Sequence, residues 1–296
     1  MVVVLFGVLA LTFLIAFMVP GDPARLYAGT NASPAAVKII HHQLGLDRPI
    51  YVQFANYLWR AAHLDFGYSY RYSEPVLPAI LQRFPATAEL AVAGVFFELA
   101  IGVPIGILAA TRPGSLADRI AMVFTFATLA APPFWLGLML LILFAGVFQL
   151  LPPGGYGDGA PQYLLLPALT LGLGGAAYYA RLLRAVLLDI LPKDFIRTAW
   201  AKGLPERTVI IRHAMPNALT VIVTQLGMDL GYFLAGVVVI ESVFAWPGIG
   251  KQAVDAIFNL DIPLVMGTVL FGAILIVTAN VVVDILYTVI DPRVRY

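Results

Sequence analysis

The feature that most constrains this chain is a series of apolar runs, each about as long as a bilayer is thick. A helix advances about 1.5 Å per residue, so crossing the hydrocarbon core takes about 20 consecutive apolar residues. Six runs answer to that length: residues 2–19, 86–110, 120–150, 164–188, 217–240 and 263–288. A lone segment in hydrocarbon satisfies its backbone hydrogen bonds only as a helix, which predicts an all-α polytopic membrane protein with six transmembrane helices. A mean hydropathy of +0.88 with 12% charged residues agrees, since a soluble domain carries about a quarter charged.

Two runs need separate treatment. Residues 2–19 have the length of a secretory signal, but no basic residue precedes them and Pro20-Gly21-Asp22-Pro23 offers no small-residue cleavage site, so a retained span is expected. Residues 120–150 would make a helix of about 46 Å, so this span must tilt, kink at Pro132 and Pro133, or project from the membrane. Basic residues set the orientation. Arg112 and Arg119, then Arg181, Arg184, Lys193, Arg197, Lys202, Arg207 and Arg212, then Arg293 and Arg295 mark one side as cytoplasmic. Residues 151–163 hold no Lys or Arg, so six spans place both termini inside and segments 20–85 and 241–262 outside.

The long outer segment reads as a small helical cap. Ser33 is placed to cap a helix, Pro34 to open it and Gly45 to stop it. Ile50, Phe54, Tyr57 and Leu58 then make one apolar stripe. His41 and His42 are neighbours in a helix and point about 100° apart, so they read as surface or packing residues rather than metal ligands.

Several function classes lose support. A net charge of +1 without a basic stripe gives no reason to expect a nucleic-acid partner. The absence of cysteine removes thiolate metal sites and cysteine nucleophiles. The four histidines have no ligand spacing, and no zinc-protease motif is present, so no metal is expected. Residues 246–252, Trp-Pro-Gly-Ile-Gly-Lys-Gln, end like a phosphate-binding loop. Such a loop needs a first glycine for its tight turn and Ser or Thr for magnesium, and Ala245 and Gln252 stand there instead. No catalytic residue and no cofactor is expected.

The segment 189–216 is the one sizeable charged interruption on the cytoplasmic side. Pro192 can open a helix whose Phe195, Ile196, Ala199 and Trp200 share a face, Gly203 can close it left-handed, and Pro205 can open a second helix that ends before Pro216. The pattern supports two readings equally: an amphipathic connector lying on membrane lipid, or a docking knob for a cytoplasmic partner.

Arg-Thr-Ala-Trp-Ala-Lys-Gly at 197–203, then His-Ala-Met-Pro at 213–216, resembles the EAA loop of ATP-binding-cassette importer permeases. Ala199, Gly203 and Pro216 match its general pattern, and Arg197, Thr198 and Lys202 match the version of the dipeptide and oligopeptide branch. "PGDPARLYAG" at 20–29, "LGLDRPIYVQF" at 44–54, "RFPATAEL" at 83–90, "ESVFAWPGIG" at 241–250 and "DPRVRY" at 291–296 look like hallmarks of the same branch. The chain departs at its start, where the family carries several basic residues before the first span, and a trimmed or misassigned start is the expectation.

The resemblance implies a type I importer permease fold, with residues 1–85 as the first span and cap and 86–291 as the transmembrane domain. It implies a bacterial or archaeal cytoplasmic membrane, a second homologous permease, two cytoplasmic ATP-binding subunits and an extracytoplasmic substrate-binding protein. Hydrolysis would occur in the ATP-binding subunits and reach this chain through Arg197, Thr198, Ala199, Lys202, Gly203 and Pro216. Nickel chelates or glutathione are the alternative cargo to peptides. A secondary transporter is the alternative outside the class, but it would carry inverted repeats, and none is visible.

The path is less legible. Asp229 lies mid-span, where a charged residue costs about 2.5–3.5 kcal/mol unless it faces the bundle or water. It reads either as a hydrogen-bonding partner for another helix or as a path residue, and Glu98 and Asn280 raise the same question. Gly227 and Gly231 flank it as a close-packing face.

Overall fold

The computed structural model of the chain describes residues 2–18, 22–29, 32–69 and 71–290, which fold into helices joined by short turns. Pro20 and Gly21 lie outside the described residues, as do Arg293, Arg295 and the rest of the 291–296 motif. α1 (Val2–Met18) carries the first run, and the expected cap follows as α2 (Pro23–Ala28), α3 (Pro34–Gln43) and α4 (Ile50–Ala62). The Ser33 hydroxyl accepts from the Ala36 amide at 3.2 Å, and Gly45 adopts a φ of 68° just after α3. Phe54 and Tyr57 of α4 lie 5.2 and 5.9 Å from Phe13, so the stripe read from the sequence packs along α1.

α5 (Val76–Thr111) is 36 residues long and starts ten residues before the expected run. α6 (Leu116–Ala130) and α7 (Pro133–Leu141, continued as a π-helical turn over Ile142–Val147) meet at a bend of 104°. Prolines at 132 and 133 remove two helical N–H donors and push Ala131 into extended backbone, so the long third run kinks rather than tilts.

α8 (Pro161–Ile190), α9 (Asp194–Ala201), α10 (Glu206–Thr208), α11 (Met215–Leu234), α12 (Val238–Val243), α13 (Ile249–Phe258) and α14 (Ile262–Ile290) complete the chain. The fifth run stops at Leu234, short of residue 240. The chain turns at Gly236, whose φ is 107° and where a Cβ would lie 2.9 Å from the Gly250 nitrogen. Among the described residues, Val76–Thr111, Pro161–Ile190 and Ile262–Ile285 are long and apolar enough to cross a membrane, and the bent α6–α7 pair makes a fourth if it is one span.

α5 and α8 form the central pillar. A Cβ on Gly102 would come within 2.6 Å of the Ala176 carbonyl, and one on Gly106 within 2.9 Å of the Ala180 carbonyl. The two backbones touch because these positions lack side chains. Gly227 and Gly231 serve α11 likewise, against Val283 and Ala279 of α14.

The glycine-lysine stretch that mimics a phosphate loop holds a carboxylate of its own chain. Glu241 is fully buried; one of its oxygens accepts from the Thr87 hydroxyl at 2.8 Å and the other from the Lys251 amide at 2.8 Å, at the start of α13. Gly248 leaves room for that carboxylate, since a Cβ there would lie 2.3 Å from Glu241 Cδ. The Trp246 indole donates to the Ala86 carbonyl at 2.7 Å and fixes the same stretch to α5.

Candidate functional site

The segment from α9 to α11 is rooted in the core. Ile196 and Ala199 are buried with Leu187 and Ile190 of α8, Val209 and Ala214 of the following turn, and Ala218 of α11. The face expected from the sequence is therefore divided: Ile196 and Ala199 point inward, while Phe195 and Trp200 stay 43% and 44% exposed. Ala199 is small because its own chain closes over it, and it does not itself present a surface. Arg197, Thr198 and Lys202 are exposed.

Gly203 closes α9 as expected. Its φ is 74°, its amide donates to Trp200 O at 2.9 Å, and the Leu204 amide reaches Ala199 O. Among the described residues, nothing beyond its two chain neighbours lies within 4 Å of where its Cβ would be. Pro216 corrects the expected helix end. The backbone runs from α10 through a π-helical stretch, Val209–Ala214, directly into α11, with Pro216 in the first turn, where a missing N–H is tolerated.

Beside this segment, Arg184 of α8 grips Asp118 of α6 with two bonds, Nε to Oδ1 at 2.7 Å and Nη2 to Oδ2 at 2.9 Å. Asp118 Oδ2 also accepts from the Gly114 amide at 2.9 Å, which fastens the α5–α6 turn to α8.

Higher in the bundle, α5, α7, α8, α11 and α12 surround a cavity of about 420 Å³. Glu98 and Asp229 both line it, with Gln225 and Tyr178. Asp229 receives the Tyr179 hydroxyl at 2.7 Å on one oxygen and Gln225 Nε2 at 2.8 Å on the other. Asp229 thus bonds Tyr179 of α8 and also lies on the wall of the cavity. Asn280 is not brought there; it is exposed on α14, whose α11-facing contacts are made by Ala279 and Val283. Tyr179 and Gln225 escaped the sequence reading. Gln225 was within reach, because it stands four residues, about one turn, before Asp229; Tyr179 lies 50 residues away.

Residues 102–296 match the family described as "Binding-protein-dependent transport system inner membrane component", and residues 1–91 match its N-terminal companion. The chain is 42% identical to the probable D,D-dipeptide transport system permease protein DdpB of Escherichia coli K12, over 99% of this chain and 94% of that one. It is 41% identical to a putative peptide transport system permease protein of Brucella abortus, over 97% and 93%. The dipeptide transport system permease protein DppB of Escherichia coli K12 is 37% identical, over 98% and 94%. Among solved structures, a chain of the inward-facing MetNI methionine ABC transporter superposes with a TM-score of 0.59 at 20% identity, covering 72% of this chain and 96% of that one. The helical fold is thus shared with a solved ABC transporter, and the permease resemblance read from the motifs is met. This chain belongs to the family of binding-protein-dependent transport system inner membrane components.

Proposed function

We propose that this chain is the permease subunit of an ATP-driven importer that carries di- or oligopeptides across the cytoplasmic membrane. It works with a second permease, two ATP-binding subunits and an extracytoplasmic binding protein. The chain crosses the membrane six times with both termini inside, and the α9–α10 segment is the surface on which an ATP-binding subunit docks. Glu98 and Asp229 line the path.

The observation that carries this reading is the two-sidedness of α9. One side is locked into the core through Ile196 and Ala199, and the other leaves Phe195 and Trp200 exposed on a segment that also exposes Asp194, Arg197, Lys202, Glu206, Arg207 and Arg212. Exposed apolar side chains in a charged setting suit a protein partner, and a locked inner side suits transmission of its movement. The peptide cargo rests on the likeness to peptide permeases.

Gly203 supplies the test. Any side chain there costs about 1–2 kcal/mol for the left-handed backbone, yet the chain itself leaves the space open. Gly203→Ala and Gly203→Trp are expected to destabilise the isolated subunit equally, while only Gly203→Trp abolishes stimulated ATP hydrolysis in the reconstituted complex. Equal hydrolysis in both variants overturns the docking assignment.

A further inference from the structure

Glu98 is 1% exposed, lies on the wall of the 420 Å³ cavity, and among the described residues its Oε2 has no hydrogen-bond donor. A buried carboxyl oxygen without a donor is costly, and such groups are ordinarily paired. The neighbourhood is built around it. A Cβ on Gly175 of α8 would lie 1.7 Å from Glu98 Oε1, so only glycine leaves the carboxyl its place.

Asp229 adds a second acidic group to the same cavity, aimed by Tyr179 and Gln225, and each of its oxygens keeps a further lone pair. Among the described residues, none that lines the cavity is Lys, Arg or His. Arg181 sits over the Tyr178 ring at 6.0 Å but does not line it. The cavity therefore offers acceptors, one of them unused, and no basic side chain on its wall.

A metal ion is a poor occupant, because no group of three or more His, Cys, Asp or Glu is clustered to hold one among the described residues. The volume falls instead in the range of small organic ligands, about 300–1,000 Å³. An ammonium group brings three donors for carboxylate oxygens and takes no fixed coordination geometry.

We propose that Glu98 and Asp229 form a recognition point for the ammonium group of the cargo, the amino terminus of a peptide in transit. This rests on the permease reading, and it gives the cavity a chemical preference of its own.

The test uses the assembled complex, without binding protein or ATP, and Ala-Ala and N-acetyl-Ala-Ala as probes, followed by saturation-transfer NMR. Wild type is expected to bind Ala-Ala at least tenfold more tightly than its acetylated form. Glu98→Gln, which keeps the side-chain size, is expected to remove that difference, and Asp229→Asn serves if Glu98→Gln fails to assemble. N-acetyl-Ala-Lys tells an α-ammonium from a side-chain one: weak binding supports the amino terminus, and binding as tight as Ala-Ala overturns that choice. Equal binding of Ala-Ala and its acetylated form by wild type, or an undiminished preference in both variants, overturns the proposal. If the preference holds but the complete system shows no ATP-driven peptide uptake, the importer reading fails and the ammonium site stands.

Discussion

Thr87 donates its hydroxyl to the buried Glu241 carboxylate at 2.8 Å and receives the Ile249 amide at 2.9 Å, so one threonine on α5 closes both ends of the α12–α13 turn. Thr87→Val is expected to leave an amide and a carboxylate oxygen unpaired, at a cost of about 1–3 kcal/mol. Thr87→Ser keeps the hydroxyl and is expected to lose clearly less. Thermal unfolding of both variants in detergent measures the difference, and equal losses would count against the bond.

Contact between α5 and α8 at bare backbone predicts a sharp positional contrast. Gly102→Ala is expected to destabilise by about 1–3 kcal/mol through overpacking against Ala176. Gly7→Ala on α1, where none of the described residues of other elements lies within 4 Å of the added Cβ, is expected to be neutral or slightly stabilising. Comparing the melting temperatures of the two purified variants checks this.

Arg184→Met is expected to cost about 1–3 kcal/mol, because Asp118 is buried and loses both bonds from the guanidinium. Arg184→Lys restores the charge but not the two-pronged grip, and should recover only part of it. Hydrogen exchange at residues 112–118 should quicken in both variants, more so in the methionine one.

The segment ahead of α5 has a pH dependence of defined sign. The Arg60 guanidinium, 2.7 Å away, holds the Asp65 carboxyl below its ordinary value. A depressed carboxylate contributes fully above the unfolded pKa of about 4 and loses its contribution as pH falls through the lower folded value. Both side chains are half exposed, so the effect is small and local. Protection of the amides of residues 60–69, after division by the intrinsic exchange rate at each pH, is expected to fall as pH drops from about 5 to about 2, and Arg60→Gln should flatten that fall.

Helices were legible because hydrocarbon leaves an apolar run few options, and Ser33, Pro34 and Gly45 marked the ends of α3 by local chemistry alone. The break at Pro132 and Pro133 was readable as a break, but its 104° angle depends on what α7 packs against. The end of the fifth run was misplaced because residues 235–240 are apolar, yet Gly236 turns there to meet Gly250, a contact between distant positions. Gly203 was legible from its own backbone preference. The inward turn of Ala199 was not, since α9 shows similar side chains on both flanks and only α8 and α11 decide which is covered. Pairs such as Tyr179–Asp229 and Arg184–Asp118 join residues 50 and 66 positions apart, and no periodicity carries them.

Tyr179 belongs to the same buried cluster as Ile196 and Ala199, while its hydroxyl ends on Asp229. What α9 shows outward and what it anchors inward are therefore separable properties. On the docking proposal, Phe195 and Trp200 can be exchanged to suit a different ATP-binding subunit without touching the cavity, whereas a change at Ala199 enters the cluster that holds Tyr179. If that proposal holds, a chimaera that swaps only the outward residues should couple to a foreign ATP-binding subunit and keep the binding preference of its own cavity.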